Sequence, residues 1–263
     1  MHWVIGDIHG MYLPLVTLLD EIHKRDADAK LIFCGDYVNR GPDSRRGVDL
    51  LLSLDNARFC RGNHDDAFDL LLSGTCFAPA AQISGAVTTF EHFLRFGFDQ
   101  TLHSYGLDDR RIDQARRAAT PQAIAALLEA VPAEHRDFFH TLPVVQSEKH
   151  FFVAHAKWDV AEDPGVPNFA TQLAGSFRLR HDIIWGRYSL EEIYGEKSWN
   201  RPGFFGHTPV ITYGRCDPIV PLRGQQITLL DTGAAVSTGG RLTAWCVEEE
   251  RFVQAERDGD LSL

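Results

Sequence analysis

The sequence has no excess of positive charge, no paired-cysteine motif and no apolar run long enough to cross a bilayer. Lys and Arg total 26 against 36 Asp and Glu, which gives a formal net charge of −10. This balance argues against broad electrostatic affinity for nucleic acids or an anionic membrane, which would need a basic surface. A phosphate-binding site must therefore create its positive potential locally, from metal ions and a few arginines.

The five cysteines are odd in number and scattered, with no CxxC pair. Cys34 and Cys60 end apolar runs, where small buried side chains fit. We therefore expect reduced core residues rather than disulfides or zinc ligands. No signal peptide is recognisable before the first strand-like run, and a cytoplasmic protein is the resulting expectation.

The first sixty residues alternate between strand-like and helical segments. Strand-like runs cover 2–5, 31–34 and 57–60. Between the first two runs, apolar residues recur at the spacing expected for a helix, at Leu13, Val16, Leu19 and Ile22. This order predicts a βαβαβ unit with right-handed crossovers and a mainly parallel sheet, which delivers each following loop to the same edge.

The rest of the chain changes in texture twice. Residues from about 66 to 142 are helical in pattern and predict an insertion within one domain spanning 1–263, because no linker-like composition flanks them. Strand character returns in 144–155, 183–187 and 203–209, with a loop expected over 160–180. The last two alternating runs, 241–247 and 251–255, predict an antiparallel hairpin in a second sheet.

Three short motifs follow the first three strand-like runs. They are residues 6–10 (GDIHG), 35–41 (GDYVNRG) and 62–65 (GNHD). Gly35 allows a sharp turn that presents Asp36 at the end of its strand. Asp36 and Arg40 alone would fit a surface salt bridge, but three such motifs at one sheet edge indicate a metal-dependent phosphoesterase.

The motifs supply side chains of metal-ligand type. Asp7 and His9 are two residues apart, so in an extended segment they lie on the same side. His155 ends a hydrophobic run and, taken alone, would more often be a hydrogen-bonded core residue. The combined candidate ligands are Asp7, His9, Asp36, Asn63, His155 and His207. Six nitrogen and oxygen ligands suit two divalent ions bridged by Asp36, with positions left open for water and substrate.

Two such ions, ~3.5–4 Å apart, lower the pKa of a shared water and clamp phosphoryl oxygens during in-line attack. His64, next to a ligand but itself free, could protonate the leaving oxygen as a general acid. Arg40 and Arg187 could hold phosphate oxygens in bidentate fashion. For Arg187 the alternative is that residues 185–187 simply end a strand.

The motifs, together with residues 206–209 (GHTP), resemble the signature blocks of the calcineurin-like metallophosphoesterases. Within that family the chain is most similar to the bacterial phosphoprotein phosphatases specific for phosphoserine and phosphothreonine. Further similarity at 101–106, 184–187 and 231–234 extends the resemblance over nearly the whole chain. The resemblance implies an α/β fold arranged as a four-layer α/β/β/α sandwich around a dinuclear centre, with manganese expected and iron or zinc as alternatives.

The resemblance also implies how the ligands divide between the ions. Asp7, His9 and Asp36 would hold one ion, and Asp36, Asn63, His155 and His207 would hold the other. His64 would be the acid, with Arg40 and Arg187 gripping phosphate.

Three positions depart from the family pattern. Asn39 stands where the family usually has an aspartate that orients the catalytic histidine. An amide can accept a hydrogen bond but cannot stabilise an imidazolium by charge. Asp65 stands where many phosphoprotein phosphatases have glutamate, and Lys157 stands where glycine is more usual. Lys157 would either add charge beside the phosphate or point to solvent.

Three functions remain open at this stage. The first is hydrolysis of phosphoserine or phosphothreonine in proteins. The second is hydrolysis of dinucleoside polyphosphates, because residues 41–44 and 62–65 also resemble the bacterial diadenosine tetraphosphate hydrolases. The third, suggested by Asn39, is an inactive metal-binding module that recognises phosphoproteins. The expected partners are thus phosphoproteins or small phosphorylated substrates, without nucleic acid or membrane.

Overall fold

The computed structural model describes residues 1–78, 85–159, 173–214, 217–236 and 238–262. Its strands, in chain order, are β1 His2–Ile5, β2 Lys30–Phe33, β3 Ala57–Phe59, β4 Val145–Ser147, β5 Phe152–Ala154, β6 Gly203–Phe205, β7 Leu222–Arg223, β8 Ile227–Leu229, β9 Arg241–Cys246, β10 Arg251–Glu256 and β11 Leu261–Ser262.

The helices, in chain order, are α1 Tyr12–Arg25, α2 Ser44–Leu52, α3 Asn63–Ser73, α4 Gly85–Leu94, α5 Phe98–Ser104, α6 Asp109–Ala118, α7 Pro121–Leu128, α8 Ala133–Thr141, α9 Phe177–Trp185 and α10 Leu190–Tyr194. A 3-10 turn covers Val210–Tyr213. Thr120 caps α7 by accepting a hydrogen bond from the backbone N–H of Ala123, as expected for Thr-Pro at a helix start.

The strands form two sheets. The first has the order β11-β10-β9-β1-β2-β3, in which β1, β2 and β3 are parallel, as expected for the βαβαβ unit. The second has the order β4-β5-β6-β8-β7, with β5, β6 and β8 parallel. The carboxyl ends of six parallel strands therefore supply the loops from which a site can be built.

The two sheets pack face to face, and helices cover both outer faces. Side chains from both sheets, including Val4, Ile32, Val153 and Phe204, form one buried cluster between them. The outer face of the first sheet packs with helices α1 to α8, while α9 and α10 pack on the second sheet. This arrangement confirms the predicted α/β/β/α sandwich. The division into one domain with an insertion at about 66–142 stays a prediction, although six helices do lie in the described residues between β3 and β4.

Three local expectations were wrong. The final hairpin forms, but β9 pairs with β1 and so extends the first sheet instead of the second. Residues 183–185, expected as a strand, are the end of helix α9. In α1 the buried side chains include Leu15, Leu18 and Ile22, while Leu13 is 50% exposed. The loop expected over 160–180 falls partly outside the described residues, and α9 begins within it.

The cysteines Cys34, Cys60 and Cys246 are buried and free, in agreement with the expected reduced core residues. Within the described ranges, no helix is both long and apolar enough to span a membrane.

Candidate metal centre

The loops after the parallel strands bring the candidate ligands to one edge of the sandwich. Asp7 follows β1, Asp36 follows β2 and Asn63 opens α3 after β3. His155 and His207 follow β5 and β6 of the second sheet. The cluster thus lies where the carboxyl ends of both sheets' parallel strands meet, and it is largely shielded from solvent.

Two glycines allow the loops to approach each other. Gly35 has φ +107°, and a Cβ there would lie 2.6 Å from the backbone nitrogen of Gly62. At Gly206, a Cβ would lie 1.9 Å from Oδ1 of Asp7. Side chains at either position would push the metal-ligand loops apart.

The backbone of the site is strained. Seven non-glycine residues in the described part of the chain have positive φ, and five of these are predicted site residues. They are His9, Asp36, Asn39, Arg40 and His207. Such conformations cost of order 1–3 kcal/mol each and persist where the surrounding structure fixes them for function.

Backbone carbonyls orient two of the histidines. Nδ1 of His9 donates to the carbonyl of Val38 at 2.9 Å, and Nδ1 of His155 donates to that of Cys34 at 3.0 Å. The unprotonated Nε2 atoms therefore face Asp36, at 3.4 and 3.5 Å from its two oxygens. A histidine held through one nitrogen with the other free is the arrangement that binds metals.

Three lone pairs converge at Asn63. Its Oδ1 lies 2.9 Å from Nε2 of His155 and 2.9 Å from Nδ1 of His207. His207 donates its other nitrogen, Nε2, to the carbonyl of Trp185 at 3.2 Å. Because His155 and His207 carry their protons on the nitrogens that face away from Asn63, the other nitrogen of each ring and Oδ1 of Asn63 are three acceptors in contact. A cation bound among them would relieve the repulsion between their lone pairs.

Asp7 has an unsatisfied oxygen. Its Oδ2 accepts from the backbone N–H of His207 at 2.9 Å, while Oδ1 is buried with no hydrogen-bond partner among the described residues. Burial, with Asp231 and Asp36 nearby, raises the pKa of Asp7 well above its usual range. Burial also raises the pKa of Asp36 to about 7. A divalent ion would offset the cost of keeping these carboxylates charged.

The three candidate histidine ligands favour the neutral form. Burial lowers the pKa of His155 to about 4 and holds the pKa values of His9 and His207 well below the usual range. Neutral imidazole is the form that ligates metal. The donor set of imidazole nitrogens, carboxylates and an amide oxygen therefore fits divalent transition ions.

Among the described residues, two groups have donor atoms that all lie within 4.8 Å of one another. They are Asp7–Asp36–His155 and His9–Asp36–His64. Asp36 belongs to both, as a bridging ligand would. The other members are grouped differently from the predicted division between ions, so that division stays a prediction.

His64 lies beside the cluster and contacts Asn39. The amide Nδ2 of Asn39 is 2.7 Å from Nδ1 of His64, so here the amide donates rather than accepts. His64 then carries its proton on Nε2, which lies 3.4 Å from Nη2 of Arg40. Burial, followed by the charges of His9 and Arg40, lowers the pKa of His64 well below its usual range.

The hydroxyl of Thr101 holds Asn39, and that of Ser44 contacts Thr101 in turn; neither was predicted as a site residue. Thr101 accepts from the backbone N–H of Asn39 at 2.8 Å and donates to its Oδ1 at 3.0 Å. The hydroxyl of Ser44 lies 3.0 Å from that of Thr101. Residues 101–106 are part of the similarity to the family. A role for Thr101 itself, however, depends on its contact with Asn39, which is 62 residues away in the chain.

Asp65 ties two motifs together. Its carboxylate accepts from the backbone N–H groups of Asp36, Tyr37 and Gly62, at 2.7, 2.9 and 2.9 Å. Burial, with Asp36 nearby, raises its pKa to about 7. The shorter aspartate thus serves as an internal brace between the two metal-ligand loops.

Arg40, Arg187 and Lys157 differ in whether their charged groups are free to bind phosphate. Arg40 and Arg187 line the same cavity of about 320 Å³, together with Asp36, Asn63 and His207. Arg187 is exposed, whereas Nε of Arg40 is buried with no partner in the described ranges. Lys157 instead pairs with Glu192 at 2.5 Å, so neither of its two expected roles describes it.

Comparison with known proteins places the chain in a family. The profile of the calcineurin-like phosphoesterases matches residues 2–210. The chain belongs to this family. A solved structure provisionally assigned as a diadenosine tetraphosphatase aligns with 97% of this chain and 92% of its own, with TM-score 0.52 and 19% identity, and so shares the fold.

Curated relatives with local similarity to the chain are named for two different activities. A symmetrical bis(5'-nucleosyl)-tetraphosphatase of Marinomonas sp. (strain MWYL1) is 44% identical over 64 residues, which are 24% of this chain and 23% of that protein. A protein of Encephalitozoon cuniculi (strain GB-M1), provisionally named a serine/threonine-protein phosphatase, is 40% identical over 67 residues, 24% of this chain and 14% of its own length. These matches span less than a quarter of either relative.

Proposed function

We propose that the protein is a dinuclear-metal hydrolase of phosphate esters. The observation that carries this is the convergence of unprotonated imidazole nitrogens and the Asn63 oxygen, beside the unsatisfied Oδ1 of Asp7. Two divalent ions, with manganese expected and iron or zinc as alternatives, would be held by Asp7, His9, Asp36, Asn63, His155 and His207. When bound, such ions activate water and neutralise charge on the phosphoryl group.

The chain's own residues supply orientation and a proton. Arg40 and Arg187 bind non-bridging phosphate oxygens and align phosphorus in the cavity. In its imidazolium form, His64 donates the Nε2 proton to the leaving oxygen and is left as neutral imidazole. Burial lowers the pKa of His64, and the amide at position 39 does not stabilise an imidazolium by charge, so this acid form is less populated than in a histidine paired with a carboxylate.

A test of this function uses metal-stripped protein reloaded separately with Mn²⁺, Fe²⁺ and Zn²⁺, assayed on p-nitrophenyl phosphate. Turnover should require metal and should be lost in Asp36→Asn. On phenyl phosphate, whose leaving group needs a proton, it should also be lost in His64→Ala. Asp20→Asn and His23→Ala change exposed residues of α1 and are matched controls that should keep it. If reloaded wild-type protein shows no turnover with any ion, the inactive recognition module replaces this proposal.

Two substrate classes follow from the similarities. The first is phosphoserine or phosphothreonine in proteins, in line with the sequence resemblance and the Encephalitozoon relative. The second is dinucleoside polyphosphates, favoured by 44% identity to the Marinomonas tetraphosphatase over 64 residues. Equal-metal assays on phosphopeptides and on diadenosine tetraphosphate separate them, because a large preference for the dinucleotide would overturn the first.

A further inference from the structure

The cavity beside the metal centre has an aromatic half that hydrolysis itself does not require. Besides the candidate ligands and arginines, it is lined by His92, Phe93, Phe96, His181 and Trp185. These side chains come from α4 and the turn after it, and from α9. A site for phosphate alone would need only polar and charged groups, so these rings point to the rest of the substrate.

Helix α9 carries a ladder of three rings. Phe177, His181 and Trp185 are four residues apart and so lie on one helix face. The ring centroids of His181 and Trp185 are 6.5 Å apart at 22°, and those of Phe177 and His181 are 6.0 Å apart at 35°. Eight residues of helix rise ~12 Å, so the ladder extends that far along the helix from its inner end.

The inner end of the ladder is fixed to the metal centre. The carbonyl of Trp185 accepts from Nε2 of His207 at 3.2 Å, and its indole N–H donates to the carbonyl of Ala78 at 3.2 Å. Arg187 follows two residues later and lines the same cavity. The outer rung, Phe177, is 51% exposed.

A second wall faces the inner rungs. Phe93 is buried, with its ring 5.0 Å from that of His64 and 6.2 Å from that of Trp185, so it lies between the general acid and helix α9. Phe96 is 43% exposed and lies 6.4 Å from the His64 ring. Phe96 and Phe177 are two of the three most exposed phenylalanines in the described part of the chain.

We propose that the aromatic side chains of α9 (Phe177, His181 and Trp185), together with Phe93 and Phe96, bind the base of a nucleoside phosphate. The protein would then be a nucleotide-directed phosphoesterase. The inference rests on the proposed phosphoesterase function. A phosphoserine side chain has no ring to stack. A phosphotyrosine ring is bonded directly to the ester oxygen and would reach only the wall beside His64. A nucleobase is separated from phosphate by a ribose and can reach the ladder, where base–aromatic stacking supplies affinity.

The test uses the Mn²⁺-loaded full chain and the variants Phe96→Ala, Phe177→Ala and their double mutant. Phe252→Ala removes an exposed phenylalanine of β10 and is the matched control. On diadenosine tetraphosphate, kcat/KM should fall about 5- to 100-fold in the double mutant, mostly through KM, because stacking is lost. On a phosphoserine peptide and on β-glycerol phosphate, the same variants should change less than about twofold.

A double mutant equal to Phe252→Ala on the dinucleotide would overturn the inference. So would equal losses on all substrates, or a wild-type preference for a phosphotyrosine peptide that the double mutant loses. Calorimetric titration with adenosine 5'-methylenediphosphonate measures base binding without turnover. If no phosphate ester is hydrolysed but this ligand binds and Phe96→Ala/Phe177→Ala weakens it, the proposed function fails while the nucleotide site stands. If hydrolysis occurs but the ligand does not bind, only the nucleotide site fails.

Discussion

Replacing Thr101 with valine should slow the reaction, although Thr101 itself does not touch the substrate. Thr101 is fully buried and makes two hydrogen bonds to Asn39, which in turn contacts His64. Valine keeps the shape but leaves the backbone N–H and Oδ1 of Asn39 without partners. Two unsatisfied buried groups cost about 2–6 kcal/mol, so the amide should turn or shift instead of holding its position.

The consequence should depend on the leaving group. General acids contribute ~10²–10⁴-fold, and partial loss of His64 orientation should lower kcat about tenfold for phenyl phosphate. p-Nitrophenyl phosphate should lose much less, because p-nitrophenolate leaves without a proton. Thr101→Ser keeps the hydroxyl and is the control that should restore both rates.

The assay compares kcat on the two aryl phosphates for wild type, Thr101→Val and Thr101→Ser at equal metal content. Equal losses on both substrates, or a Thr101→Ser variant as impaired as Thr101→Val, would show that Thr101 supports packing and not the orientation of His64.

Three further changes test other parts of the site. Asn39→Asp gives His64 a charged acceptor and should preserve or raise kcat at neutral pH; a clear loss, measured on phenyl phosphate, would mean that another partner orients His64. The pKa of Asp36 is raised to about 7, and its carboxylate must ionise to bind metal, so Mn²⁺ affinity should rise from pH 5.5 to 7.5 and binding should release protons. Calorimetry in buffers of different ionisation enthalpy measures both effects. An affinity that does not depend on pH would contradict this. Gly206→Ala places a Cβ 1.9 Å from Oδ1 of Asp7 and should reduce bound metal by elemental analysis, whereas full metal content would show that the loop can yield.

The strand-end motifs made much of the fold predictable. Strict alternation of apolar runs and helical segments in the first sixty residues leaves few topologies, and the structure has the expected parallel order of β1, β2 and β3. Gly35 has the positive φ that the predicted turn requires. These features are local, so a single sequence can carry them.

The errors came from non-local packing and from imprecise spacing. Alternation predicts a hairpin but not its neighbour, and β9 pairs with β1 from the other end of the chain. In α1, a strict three-residue spacing from Leu13 to Ile22 rotates around the helix, whereas Leu15, Leu18 and Ile22 keep to one face. Residues 183–185 are apolar enough for a strand, and only the packing of α9 decides otherwise.

The sequence singles out those residues of the candidate site that carry chemistry themselves, and it does not single out the residues that support them. Thr101, Ser44 and the carbonyl of Trp185 hold Asn39 or His207 from distant parts of the chain. Threonine, serine and a backbone carbonyl have no distinctive pattern in one sequence. Asp231 likewise reveals its place beside Asp7 only through the fold.

The most direct test of the dinuclear centre is a crystal structure of the Mn²⁺-soaked protein with anomalous data at the manganese edge. We predict two peaks ~3.5–4 Å apart, both in contact with the Asp36 carboxylate. One should contact Asp7 and His9, and the other His155 and His207. A single peak, or two peaks of which only one contacts Asp36, would contradict the account.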